Sequence, residues 1–161
     1  LSKNYNWRTD ATIATGGYFD DLASHGLDLF TFLLGNIKDV SGISLNQQNL
    51  YSAKDAITAC WLHESGVTGS GSWNFGAEKR EDIVEIYGDK GKISFSVFDE
   101  VPIQLEQDTF KESLNIKHPE NIQFFHVQNM QNHLLKNSKH PSTGSTALHT
   151  TWVLDAILGK N

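Results

Sequence analysis

Ala56-Ile57-Thr58-Ala59-Cys60-Trp61-Leu62-His63-Glu64-Ser65-Gly66-Val67-Thr68-Gly69-Ser70-Gly71-Ser72-Trp73-Asn74-Phe75-Gly76-Ala77 decides the fold. Its first half alternates, with Ile57, Ala59 and Trp61 on one side. Ser65-Gly66 is a turn signal. Val67 to Ala77 alternates again, setting Trp73 and Phe75 against Ser70, Ser72 and Asn74. Cys60, beside Trp61, reads as a small buried hydrophobe. Upstream, Val40, Gly42, Ile43 and Leu45 form a strand of the same period. Downstream, the runs Asp82 to Tyr87 and Lys92 to Phe98 flank Gly88-Asp89-Lys90-Gly91, a hairpin signature, and Val101 to Glu106 adds another strand.

The period is helical on either side of this region. Residues 1–15 are polar and irregular, and Gly16-Gly17 then precedes a helix from Tyr18 to Leu34. Its apolar positions Leu22, Leu29, Phe32 and Leu33 repeat near helical spacing, and Gly35-Asn36 supplies a stop. Asn121 to Leu135 carries Val127, Met130 and Leu134 on one stripe behind Pro119-Glu120. Pro141-Ser142-Thr143-Gly144 breaks the chain before a last helix, Ser145 to Leu158, ended by Gly159. One helix, a run of about five or six strands and two more helices predict one α+β domain over residues 1–161. Its mainly antiparallel open sheet carries helices on one face. The other face, with small and polar groups plus Trp73, is left for water or a partner.

Composition narrows the partners. Of 161 residues, 39% are apolar and 20% charged, enough for a packed core. Thirteen Lys and Arg against nineteen Asp and Glu give a net charge of −6. An acidic chain without a basic stripe argues against nucleic acid and against anionic membrane surfaces. The lone Cys60 excludes an internal disulfide framework and a cysteine zinc cluster. No apolar run reaches the roughly 18 residues that span a bilayer. The chain opens at Leu1 with no secretory pattern, so the expectation is a piece of a longer, cytoplasmic protein.

The most pointed chemistry lies in the first helix. Asp21 and His25 are four residues apart and share a face, which Asp28 continues. A carboxylate beside an imidazole suits a proton shuttle near neutral pH. On spacing alone the commoner reading is an ordinary helical ion pair or a satisfied histidine. Asp20 points about 100° away from Asp21 and reads as exposed or as a secondary substrate contact. His126 and His133 share a face and His149 lies on the last helix, but no ligand spacing emerges, so no metal is expected. Gly69-Ser70-Gly71 lies in a strand and opens no helix, so it is not a phosphate loop.

Several landmarks together resemble the C-terminal domain of the Gfo/Idh/MocA oxidoreductases. They are Trp7-Arg8-Thr9-Asp10, Gly16-Gly17, Asp21-Leu22-Ala23-Ser24-His25-Gly26-Leu27-Asp28 and Phe32-Leu33-Leu34-Gly35. Lys54-Asp55-Ala56, Glu64-Ser65-Gly66-Val67 and Pro141-Ser142-Thr143-Gly144 fit the later part of the pattern. The resemblance implies hydride transfer between NAD or NADP and a hydroxyl-bearing carbon of a sugar or cyclitol. In that pattern His25 handles the proton, Asp21 orients it and touches substrate, and Asp20 adds a substrate contact. Trp7 and Arg8 match a cofactor-contacting pair, while Asp28 pairs structurally. The family's N-terminal Rossmann half, with its Gly-rich turn and Glu-Lys-Pro lysine, has no counterpart here, so most of the cofactor would be held elsewhere. The resemblance also implies a homo-oligomer joined through the open sheet face. The alternative is a non-catalytic dimerisation or interaction module of the same fold.

Overall fold

The computed structural model describes residues 6–160; the first five residues of the polar opening lie outside the described residues. The chain forms two compact units. One runs to Glu78 and resumes at Pro141; the other is Lys79–His140.

The first unit contains helix α1 (Tyr18–Leu34), strands β1 (Ile37–Leu45), β2 (Ala56–His63) and β3 (Thr68–Asn74), and helix α3 (Gly144–Ile157). The strands form an antiparallel sheet in chain order, with Ile57 opposite Trp73 and Trp61 opposite Gly69. The helices pack on each other, α1 against β2 and α3 against β1. Between helices and sheet lie Phe19, Ala23, Leu27, Ile37, Ile57, Ala59, Trp61, Val153, Leu154 and Ile157. A Cβ on Gly69 would stand 2.3 Å from the Trp61 indole, so only glycine lets that ring lie flat across β3. Gly69-Ser70-Gly71 therefore sits within β3 under the indoles.

Three expectations need correcting. Trp73 faces inward, its ring 5.0 Å from that of Phe19, because its cross-strand partner Ile57 belongs to the core face. Cys60 is exposed, not buried, because alternation puts it on the face opposite Ala59 and Trp61. In α1 the buried stripe is Phe19, Ala23, Gly26, Leu27 and Thr31. Phe32 and Leu33 are exposed. A helix apolar on most of its circumference leaves tertiary contacts to choose its inner face, and the small Ala23 and Gly26 allow close packing.

The second unit contains β4 (Val84–Gly88), β5 (Gly91–Phe95), β6 (Ile103–Gln107), β7 (Phe110–Leu114) and α2 (Phe124–Leu134). These four strands form an antiparallel sheet in chain order. β7, an edge strand with Lys111 and Glu112 at its centre, was not expected from the sequence. One sheet face is polar, with the Lys92 amine 2.7 Å from Glu85. Among the unit's described residues only His140 is buried. Every residue of α2 except Asn132 is exposed, including the stripe of Val127, Met130 and Leu134. No helix among the described residues is long and apolar enough to cross a membrane.

Candidate functional site

The site is built where the chain enters α1. Asn6 caps a short 3-10 turn, Trp7–Thr9: its side chain accepts from the Arg8 amide at 3.0 Å, and its own amide donates to the Thr9 hydroxyl at 3.3 Å. This fixes the backbone that carries Trp7 and Arg8. The Arg8 Nε donates to Asp21 Oδ2 at 2.6 Å, with both side chains about one-third exposed or less. The guanidinium carbon lies 4.6 Å from the Trp7 ring centroid and 6.0 Å from that of Tyr18. Arg8 is thus held in plane by two aromatic faces and one carboxylate.

The β1–β2 loop buttresses this turn. Its Ser52 hydroxyl accepts from the Ala11 amide at 2.9 Å, and the Lys54 amide donates to the Thr15 carbonyl at 3.0 Å. Asp55, 1% exposed, accepts from the amides of Gln47 at 2.6 Å and Gln48 at 2.9 Å, which shapes the loop from within. That loop lays Tyr51 edge-on against Tyr18, with ring centroids 6.4 Å apart. Among the described residues the buried Tyr51 hydroxyl has no hydrogen-bond partner. Burial pushes its phenol upward first, followed by the charge of Asp55 and by Tyr18.

The structure brings Trp7, Arg8 and Asp21 together. His25 stands one turn further along the same face of α1 and is exposed. Asp20 is half-buried, and its Oδ2 accepts from the Gly16 amide at 2.9 Å, tying off the turn before the helix. Asp28 Oδ1 accepts from the Thr150 hydroxyl at 3.2 Å and so links α1 to α3. Tyr18 and Tyr51 were not singled out from the sequence. Tyr18 had a signal, since it is the first helical residue after two glycines; Tyr51 sits in an aperiodic loop and had none.

Several other histidines serve the frame. His63, fully buried, accepts from the Trp61 indole at 3.1 Å and donates from Nδ1 to the Gly35 carbonyl at 2.6 Å. His149 Nε2 accepts from the Ile37 amide at 3.0 Å. His133 Nδ1 accepts from the His140 amide at 3.0 Å. Among the described residues no three His, Cys, Asp or Glu side chains converge as a metal site would require. A shallow depression of about 220 Å³ on the uncovered face of the first sheet is lined by Ile43, Leu45, Gln47, Thr58, Ser72 and Asn74, among others, none of them titratable.

Comparison with known proteins identifies the family and the fold. Residues 1–94 match the family model described as the GFO/IDH/MocA C-terminal domain. Oxidoreductase P35 of Formosa agariphila is 31% identical over 154 residues, covering 96% of this chain and 47% of that protein. The chain therefore spans about half the length of the curated relative it matches. An NAD binding oxidoreductase from Klebsiella pneumoniae superposes with a TM-score of 0.80 at 16% identity, over 98% of this chain and 53% of its own. The aldose-aldose oxidoreductase from Caulobacter crescentus, solved with glycerol, gives 0.79 at 14% identity, over 100% of this chain and 51% of its own. At these identities the solved structures share the fold.

Proposed function

The chain belongs to the Gfo/Idh/MocA oxidoreductases, as their C-terminal domain, and from that premise we propose that it supplies the substrate side of a nicotinamide-dependent hydride transfer at a hydroxyl-bearing carbon of a sugar or cyclitol. The observation that carries the reading is the Arg8–Asp21 pair, whose Asp21 shares a face of α1 with the exposed His25. The names of the similar proteins support it, since they include an NAD binding oxidoreductase and an aldose-aldose oxidoreductase.

Trp7 is 41% exposed and presents ring surface beside the guanidinium, which suits a flat cofactor ring at this edge. NAD or NADP held beside Trp7 would supply the hydride acceptor for the carbinol carbon. The chain's own residues do the rest. His25 takes the hydroxyl proton as the carbonyl forms, so carbon loses two electrons and one hydrogen while oxygen loses a proton. Asp21 accepts from substrate hydroxyls and holds Arg8, and Arg8 fixes the carboxylate in return. Asp20, bonded to the Gly16 amide, keeps the helix entrance in place and is at most a secondary contact.

The same reading gives the uncovered face of the first sheet to a second copy. Ile43, Leu45, Thr58, Cys60, Ser70 and Ser72 are exposed there and none carries formal charge, in a chain of net charge −6.

The test is nicotinamide absorbance with the full-length gene product across sugars, polyols, sugar acids and inositols. His25→Ala should cut kcat by about 10²–10⁴-fold. Wild-type turnover by that variant, or silence of the parent protein across the panel, overturns the assignment.

A further inference from the structure

We propose that the substrate carries a carboxylate beside a hydroxyl, and that Arg8 is the residue that selects it; this rests on the hydride-transfer reading above. A guanidinium has five N–H donors on a rigid fork, and its usual partner is a carboxylate met by two parallel bonds. The Arg8–Asp21 contact is different. One nitrogen, Nε, meets one oxygen, Oδ2. Among the described residues, the two terminal nitrogens of Arg8 donate to no group and Oδ1 of Asp21 accepts from none. A paired donor edge and a single acceptor therefore stand side by side on a partly exposed surface.

The edge is already set for a ligand. The Asn6 cap fixes the backbone, and Trp7 and Tyr18 hold the guanidinium plane. Little side-chain freedom is left to lose on binding. The ligand that satisfies both features has two acceptor oxygens for the fork and one donor for Oδ1. A 2-hydroxycarboxylate, as found in an aldonic acid, meets that description. An uncharged polyol satisfies Asp21 but offers the fork only neutral acceptors, which form bonds about half as strong. A phosphate diester of the cofactor has the oxyanion but no donor of its own for Oδ1. Carboxylate and phosphate share the chemistry the fork recognises; the acceptor beside it favours the substrate carboxylate.

The experiment follows nicotinamide absorbance with the full-length gene product on matched sets: several aldonates, their neutral aldonamides and the corresponding alditols. The expected result is kcat/KM higher for an aldonate than for its amide by about 10–100-fold, the range of one charge-assisted bidentate contact. Arg8→Gln should erase that ratio, chiefly through KM of the acid, and leave KM of the nicotinamide within about threefold. Arg8→Lys, which keeps the charge but not the fork, should restore only part of the ratio. Amides and alditols turned over as well as acids would overturn this proposal and leave hydride transfer standing. An Arg8→Gln effect confined to KM of the nicotinamide would assign the fork to the cofactor's phosphate and overturn it too. No turnover of acids, amides or alditols, with sugars and inositols also silent, removes the hydride-transfer reading itself. The wild-type ratio needs no variant, so a poorly folding Arg8→Gln leaves the test decisive.

Discussion

Tyr51 and His63 are both hidden from water, with opposite consequences. Among the described residues nothing repays burial of the Tyr51 hydroxyl. Tyr51→Phe should therefore stabilise the protein by about 1 kcal/mol, seen as a higher midpoint in thermal or urea unfolding. Its phenol is raised above the ordinary 10.0 by burial, then by Asp55 and Tyr18. The sign follows from linkage: the unfolded phenol ionises first, so this contribution is complete below the ordinary value and is lost as pH rises past it. Tyr51→Phe should flatten the alkaline fall of stability, measured as unfolding midpoints on both sides of that pH. His63, by contrast, satisfies two buried groups, the Trp61 indole and the Gly35 carbonyl. His63→Ala orphans both and opens a cavity, at a cost of about 2–4 kcal/mol, while the architecture of the Arg8–Asp21 pair stays intact. Neither role was visible beforehand. A buried histidine and an exposed one look alike in a sequence, and the partners of His63 come from its own strand and from the end of α1.

Helix α1 shows what periodicity can and cannot tell. Its bounds, Tyr18–Leu34, follow from the glycines around them and agree with the sequence reading. Its inner stripe does not, because Leu22, Leu29, Phe32 and Leu33 compete with Phe19, Ala23 and Leu27, and contact with β2 and α3 settles the matter. The strands behave likewise. Alternation in β2 and β3 was legible, but which face holds Trp73 depends on its pairing with Ile57. Residue type misled at Cys60, where the alternation was already correct. In the site, the helical spacing of Asp21 and His25 was legible, whereas the Arg8–Asp21 bond joins a turn to a helix and has no period to betray it. The hinge of that arrangement is Gly17, with φ 63° and ψ −124°. An added Cβ there would lie 2.8 Å from the Arg8 carbonyl oxygen and 2.9 Å from the Ala53 Cβ. Gly17→Ala should cost about 1–3 kcal/mol and push the Arg8 turn away from α1. Lower thermal stability together with weakened substrate binding is the expected pair of results, read by calorimetry and by KM.

The two units differ in how far they can stand alone. All the buried hydrophobic side chains belong to the first unit, from Ala14 to Ile157. Residues 79–140 contribute none, and their apolar helix α2 lies open. Replacing that segment with a short Gly/Ser linker should therefore preserve a cooperative melt of the first unit, monitored by near-ultraviolet circular dichroism. A broad, non-cooperative transition would show that the second unit also supports the core. Ending the chain before Gly144 should abolish the cooperative melt, since it removes Val153, Leu154 and Ile157 from the core. A temporal consequence follows from where α3 falls in the polypeptide. The helix that closes the packing, α3, is made only after residues 79–140. Phe19, Leu27 and Trp61 therefore stay uncovered by α3 while the intervening second unit is being synthesised, an interval in which exposed apolar surface invites misassociation.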